Sequence, residues 1–376
     1  MDLDLDERSL SFRDEVRAWL AGNVPARPLA SFDTATGFAQ HREWEAKLAD
    51  AGWSVVSWPE EFGGRDASLL EWVLFEEEYY AAGAPGRVNQ NGIFMLAPTL
   101  FSHGTTEQQR RILPKMARSE QVWAQAWSEP EAGSDIAALR STATRTEGGW
   151  LLSGQKTWSS RAAFADSAFG LFRSDPDSKR HKGLTYFMLD LRADGVQVRP
   201  IAQLDGEPGF AEIFLDNVFV PDSGVIGEVH QGWRVAMTTA NNERGLSLRS
   251  PGRFLAAAGR LVAEWSRDRD PAFAHRVADA WIGVRAYQLY TLGTVTRLAE
   301  GGRLGPESSV NKLHWSHLDV ALHETALDLL GPESEVDSAW TDGWLFSLAG
   351  PIYGGTDQIQ RNTVAERLLG LPRGDR

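Results

Sequence analysis

Cysteine is absent from all 376 residues. That excludes a disulfide framework, a cysteine-ligated metal and a cysteine nucleophile. No apolar run approaches the roughly 20 residues that a membrane-spanning helix needs. Positive charge is outnumbered: 38 Lys and Arg stand against 51 Asp and Glu, a formal net charge of −13. This balance argues against nucleic acid or an anionic membrane as partner. An anionic ligand would have to be met by local cations or helix N-termini. The opening M-D-L-D-L-D-E-R is acidic, the opposite of a secretory or mitochondrial signal, so a cytoplasmic location is expected. No G-x-G-x-x-G follows a strand and no G-K-[ST] occurs, so neither a dinucleotide fingerprint nor a P-loop is available. Low-complexity segments and internal repeats are also missing.

The residues that are present describe a globular chain. Hydrophobic content of 42% and charged content of 24% suit a large buried core, and the length allows two or three domains. The division expected is 1–118 helical, 119–232 β and 233–376 helical. In the first part, Leu10, Val16, Trp19 and Leu20 form one apolar stripe and Trp44, Leu48 and Ala51 another, ended by Gly52. Helices are expected over Leu69–Tyr80 and Ile93–Ser102. Thr105 with Gln108 is a capping box for the next helix, inside which Pro114 predicts a kink.

From about 119 the period changes to two. Strands are expected at 122–127, 139–146 and 150–153, the last two joined as a hairpin by Glu147-Gly148-Gly149. Gly154 is expected to turn the chain into a further strand, 156–160. Others are expected at 168–173, 184–190, 196–200 and 212–220. Lys179, Arg180 and Lys182 lie in a polar insert that suits a solvated surface loop. After Gly232 the helical period returns, with one helix expected over Trp233 to about Leu248. Ser250 and Pro251 suit N-cap and N1, Gly331 a helix stop, and Thr356 the cap of a last helix ending at Gly370. His314, His317, His323 and Glu324 share a helical stretch without an H-E-x-x-H pattern, so no metal is expected there.

Two stretches stand out for chemistry. W-A-Q-A-W-S-E-P-E-A-G-S-D (123–135) ends an aromatic strand in a polar turn, and G-Q-K-T-W-S-S (154–160) ends another. Pro130 fixes a dihedral, Gly133 permits a left-handed one, and Ser134 and Asp135 offer oxygens and N–H groups. An aromatic face beside small polar donors suits a flat, polar-edged ring, although an ordinary sheet with capped turns has the same residues. Glu129 and Glu131, flanking Pro130, are expected in solvent. The 15 tryptophans mark mostly core and interface, with Trp158 the one placed beside a ligand.

This pair of motifs resembles the flavin-binding domain of the acyl-CoA dehydrogenase family, which usually carries Y-T-E-P-x-A-G-S-D and N-G-x-K-x-W-I-T. I-Y-G-G-T-D-Q-I-Q-R-N-T-V-A-E-R-L-L-G-L-P-R (352–373) is similar to the family's closing signature. The resemblance implies an α+β architecture: N-terminal helical domain, middle β domain and C-terminal four-helix bundle. It also implies FAD as cofactor, with Gln125, Trp127, Ser128, Gly133, Ser134, Trp158, Ser159, Ser160, Thr356 and Gln358 as flavin positions. Ser134, Asn241, Arg244, Gly354 and Gly355 fall at substrate-side positions. The implied partners are an acyl-CoA or acyl-carrier thioester, an electron-transfer flavoprotein as acceptor, and other subunits in a homodimer, homotetramer or hetero-oligomer.

The family removes a proton beside a thioester carbonyl while a hydride leaves the next carbon. A carboxylate of ordinary pKa, about 4.3, is too weak a base unless desolvation raises it and the thioester oxygen is hydrogen-bonded. Resemblance assigns those hydrogen bonds to a flavin ribityl hydroxyl and a backbone N–H. Most members place the base in Y-E-G-T, where this chain has Tyr353-Gly354-Gly355-Thr356. A minority, isovaleryl-type members among them, places it on an earlier helix, and A-M-T-T-A-N-N-E-R-G puts Glu243 there. A surface glutamate paired with Arg or Lys is the competing reading of Glu243. Gly354 and Gly355 also leave room for a branched or bulky acyl group. The family's R-x-x-F-G segment, lent to the flavin diphosphate by a neighbouring subunit, is here R-D-R-D-P-A-F-A-H (267–275). The Q-I-L-G-G-type turn is replaced by Leu329-Leu330-Gly331-Pro332. A flavin monooxygenase on the same fold, or a non-catalytic partner subunit, stays open beside the dehydrogenase.

Overall fold

The computed structural model describes residues 4–243 and 250–373, excluding the side chains of 242 and 243. The first helices are α1 (Glu7–Asn23), α2 (Ala35–Asp50), α3 (Leu69–Ala81), α4 (Ala97–His103) and α5 (Thr106–Ala117). Their starts are chemical. Asp6, Thr34, Ser68 and Thr105 each accept a backbone N–H, and Ser68 with Glu71 and Thr105 with Gln108 close reciprocal capping boxes. Helix α5 runs on through Pro114 to Ala117. The expected helix over 93–102 is instead a π turn, Gly92–Leu96, leading into α4. Beside it, buried Asn89 donates to the carbonyls of Met116 and Gln121 and accepts from Trp123 N–H, so this turn is tied to the sheet.

The strands are β1 (Trp123–Ala126), β2 (Thr142–Thr146), β3 (Gly149–Ser160), β4 (Ser167–Arg173), β5 (Leu184–Asp190), β6 (Val196–Ile201), β7 (Phe210–Pro221) and β8 (Val225–Ile226). The sheet order is β6-β7-β3-β2-β4-β5-β8, with β1 parallel to β4. Gly154 does not turn the chain. Strand β3 is continuous through it, and the ladder with β7 shifts register between Leu152 and Gly154 and again between Lys156 and Ser159. A Cβ on Gly154 would stand 2.3 Å from the Ser141 hydroxyl, so the bulge requires glycine.

The later helices are α6 (Gly232–Glu243), α7 (Pro251–Trp265), α8 (Ala274–Ala299), α9 (Glu307–Leu330), α10 (Ala339–Leu348) and α11 (Asp357–Thr363). Ser250 caps α7 with Pro251 at its first position, and Gly331 ends α9. The expected helix at 233–248 is seen to Glu243; its remainder lies outside the described residues. Two compact units result. One gathers Met1–Ala26, Ala67–Ala84 and Arg244–Arg376, the other Arg27–Asp66 and Pro85–Glu243. The first is centred on Phe254, Leu261, Val284, Tyr287, Trp315 and Leu322. The second is centred on Val122, Trp150, Leu152, Phe172, Phe187 and Ile213. No helix among the described residues is long and apolar enough to cross a membrane.

Candidate active site

The two aromatic motifs meet in the β-sheet unit. After Ala126 the chain leaves β1, and the main chains of Glu129 and Ala132 bond to each other across a tight turn at Pro130-Glu131. Glu131 is exposed and pairs with Arg140. Glu129 is not in solvent as its sequence suggests: it is buried, and its carboxylate accepts from Lys156 Nζ at 2.8 Å. The same carboxylate accepts the backbone N–H groups of Arg140 and Ser141, at 2.6 and 3.0 Å. Lys156 is fully buried, donates also to the Leu171 carbonyl at 2.8 Å, and lies 4.6 Å from the Phe172 ring centre. Burial alone would raise the Glu129 carboxyl pKa; the Lys156 charge and the amide donors overturn this and hold it below the usual carboxylate range. Thr157 N–H donates to the Ser128 carbonyl at 2.9 Å, so the two motifs are stitched by main chain as well as by charge.

Beyond this clamp the end of β3 changes character. Two residues after Lys156 the register slips, and Trp158 takes a left-handed backbone, φ 57°. That conformation is costly for a bulky side chain. Its indole is 60% exposed and meets Phe210 edge-on at 5.9 Å. Ser159 is buried, with no partner for its hydroxyl among the described residues, and Ser160 is half-buried. Gln125, Trp127 and Ser128 are half-buried, whereas Gly133 and Ser134 are exposed.

Helix α6 belongs to the same unit and buries Val235, Ala236, Thr239 and Ala240. Thr239 bonds to Thr99 and to Tyr186, and Tyr186 in turn to the Trp127 indole. Asn241 is exposed. Glu243 is the last described residue of the helix, one turn after Thr239, and Arg244 lies outside the described residues.

In the other unit, Thr356 caps α11 by accepting from Ile359 N–H. Gly354 and Gly355 before it are both left-handed, φ 64° and 86°. Their carbonyls accept from the buried Gln360 amide, while Gln358 is exposed. Asp357 is held by buried Lys312 at 3.1 Å and by His317 at 2.6 Å. Burial raises the Asp357 carboxyl pKa, but these two partners leave it lowered. His314 reaches the Gly283 carbonyl and His323 bonds Asp319, whose carboxylate also pairs with Arg253. Arg267, Asp268 and Arg269 are exposed between α7 and α8.

The sequence flagged both strand ends. It missed the roles of Tyr186 and Thr99, which lie in no motif, of Thr239, which lies in the Glu243 motif, and the pairing of Glu129 with Lys156. A signal for the pair existed: Lys156 is the one cation in the two motifs, and Glu129 the acid next to the aromatic strand end.

Two kinds of comparison define the class. The Tcur3481-Tcur3483 steroid ACAD superposes with a TM-score of 0.87 at 25% identity, over 100% of both chains. The ChsE4-ChsE5 complex from Mycobacterium tuberculosis gives the same figures. The models for the acyl-CoA dehydrogenase N-terminal, middle and C-terminal domains match residues 6–120, 124–218 and 230–369. Acyl-CoA dehydrogenase IpdE1 of Mycobacterium tuberculosis is 40% identical over 381 residues, spanning 96% of this chain and 97% of the relative. Its counterpart in Mycolicibacterium smegmatis is 39% identical over 392 residues, with the same coverage. The chain belongs to the acyl-CoA dehydrogenase family of oxidoreductases.

Proposed function

We propose that the chain carries out FAD-dependent α,β-dehydrogenation of an acyl-CoA thioester with a bulky, ring-bearing acyl group, with Glu243 as the base. The observation that carries the cofactor reading is Trp158: an exposed indole in an unfavourable backbone conformation, two residues after the buried Lys156–Glu129 pair. Strain of this kind persists where surrounding structure enforces it, and it clusters at ligand sites. The Ser159 hydroxyl, without a partner among the described residues, and the exposed Gly133-Ser134 turn fit a flat ring with polar edges.

Gln125, Trp127, Ser128, Gly133, Ser134, Trp158, Ser159 and Ser160 would hold the flavin; family resemblance adds Thr356 and Gln358. When bound, FAD supplies a ring able to accept the electron pair that leaves the β-carbon with its hydrogen. Glu243 takes the α-proton onto a carboxylate oxygen, a role that requires desolvation to raise its pKa toward neutrality. A positioned general base of this kind contributes about 10²–10⁴-fold. Helix α6 supports the assignment because Thr239, one turn before Glu243, is buried and bonded to the Thr99 and Tyr186 hydroxyls.

The bulky acyl group is supported by the steroid-type neighbour, by Gly354, which puts no side chain where most relatives carry glutamate, and by Gly355, which adds no Cβ beside it. A second, related subunit is the reading favoured by the replaced diphosphate segment at 267–275 and by the two-protein ChsE4-ChsE5 neighbour. Electrons then pass to an electron-transfer flavoprotein. Anaerobic titration of the flavin-loaded protein with a panel of acyl-CoAs tests this. Ring-bearing thioesters are expected to bleach the flavin faster than butyryl- or hexanoyl-CoA. Preference for the short straight chains rejects the bulky pocket, and no bleaching by any thioester rejects the dehydrogenase.

A further inference from the structure

A buried line of hydroxyls runs through the β-sheet unit. Trp127 Nε1–H donates to the Tyr186 hydroxyl at 3.1 Å. The Tyr186 hydroxyl lies 3.1 Å from Thr239 Oγ1, which lies 2.8 Å from Thr99 Oγ1. Thr99 Oγ1 donates to the Met95 carbonyl at 2.7 Å. Tyr186, Thr239 and Thr99 are each fully buried.

The direction of the line is set by its ends. An indole N–H can only donate and a carbonyl can only accept. Each hydroxyl between them has one proton. The short bond to Met95 takes that of Thr99, so Thr239 donates to Thr99 and Tyr186 donates to Thr239. The alternative acceptor for Thr239, the Val235 carbonyl, is farther, at 3.3 Å. The line therefore joins the strand end at Trp127, the helix α6 and the π turn at 92–96 with one consistent polarity. Rings reinforce it: Tyr186 meets Trp127 edge-on at 6.2 Å and stacks on Phe169 at 6.3 Å.

We infer that Tyr186 and Thr239 are positioning residues, which set the distance between the flavin-side strand at Trp127 and the helix end at Glu243. This rests on the reading of Glu243 as the base. Thr239 and Glu243 are one helical turn apart, so a shift of the helix at Thr239 is passed on to residue 243. The ordered network acts at a distance because catalytic geometry tolerates little error: about 1 Å of displacement can cost on the order of 100-fold. Tyr186 contributes by holding both elements with one oxygen, which phenylalanine lacks while matching its ring.

The test compares Tyr186→Phe and the near-isosteric Thr239→Val with the parent, and scores rate per bound flavin rather than per protein. Both variants are expected to lose about tenfold in kcat at unchanged KM and FAD content, with Thr239→Ser recovering most of the loss. Independently of activity, backbone amides at 239–243 are expected to exchange hydrogen severalfold faster in both variants while the global unfolding midpoint stays put. Parental kcat per flavin together with parental amide exchange overturns the inference. A fall explained entirely by lost flavin or a lowered midpoint overturns it as well. Glu243→Gln separates the two claims: if it collapses flavin reduction while Tyr186→Phe changes nothing, only the positioning line fails. If Glu243→Gln is as fast as the parent, the base assignment fails whatever the amides do.

Discussion

Replacing Lys156 by methionine removes the ammonium that clamps the two motifs while keeping an unbranched apolar stem. The ammonium has two acceptors at 2.8 Å, the Glu129 carboxylate and the Leu171 carbonyl. Breaking one side of a buried pair costs about 3–5 kcal/mol, because the remaining charge stays desolvated. Glu129 keeps its two backbone donors and can also protonate, so the low end of that range, about 3 kcal/mol, is expected. For a unit of this size that corresponds to a fall of roughly 6–12 °C in midpoint. Urea unfolding tracked by tryptophan fluorescence measures the stability, and chromophore release measures the retained FAD, which is expected to drop with it. The pH dependence carries a sign. Glu129 has a lower pKa folded than unfolded, so its contribution is complete above about pH 5 and fades as pH falls through its folded value. Lys156→Met is expected to flatten that acid limb. A variant within about 1 kcal/mol of the parent, with unchanged flavin, refutes the claim that this pair holds the site.

Trp158 is expected to show opposed effects on stability and binding. Asparagine tolerates a left-handed backbone and valine does not, so Trp158→Asn should be about 1 kcal/mol more stable than Trp158→Val, while both lose flavin affinity in titrations. Thr356→Ala removes the α11 cap and is expected to cost about 1 kcal/mol in chemical denaturation. Gly354→Glu in a Glu243→Gln background should return part of the lost flavin reduction. The left-handed φ of 64° at Gly354 sets a penalty of about 1–2 kcal/mol on that variant, readable in its unfolding midpoint.

The α+β plan was legible because periodicity and punctuation agree: Thr105 with Gln108, Ser250-Pro251 and Gly331 mark helix ends that the structure keeps. The features that escaped depend on distant partners. Gly154 has the local signature of a turn, yet the ladder with β7 carries β3 straight through, and only the approach of Ser141 explains the glycine. Glu129 has the signature of a solvated turn residue, yet Lys156, 27 positions on, draws it inside. The π turn at 92–96 and the line from Trp127 to Thr99 arise from packing between segments far apart in the chain, for which a local pattern holds no information.

The central claim is that Glu243 removes the α-proton. Stopped-flow mixing of flavin-loaded protein with a ring-bearing acyl-CoA in the absence of oxygen reads that step directly as bleaching of the flavin. Glu243→Gln keeps the side-chain size, so fold and flavin content are expected to match the parent while the reduction rate falls by about 10²–10⁴-fold. Reduction of the Glu243→Gln flavin at the parental rate would contradict the account.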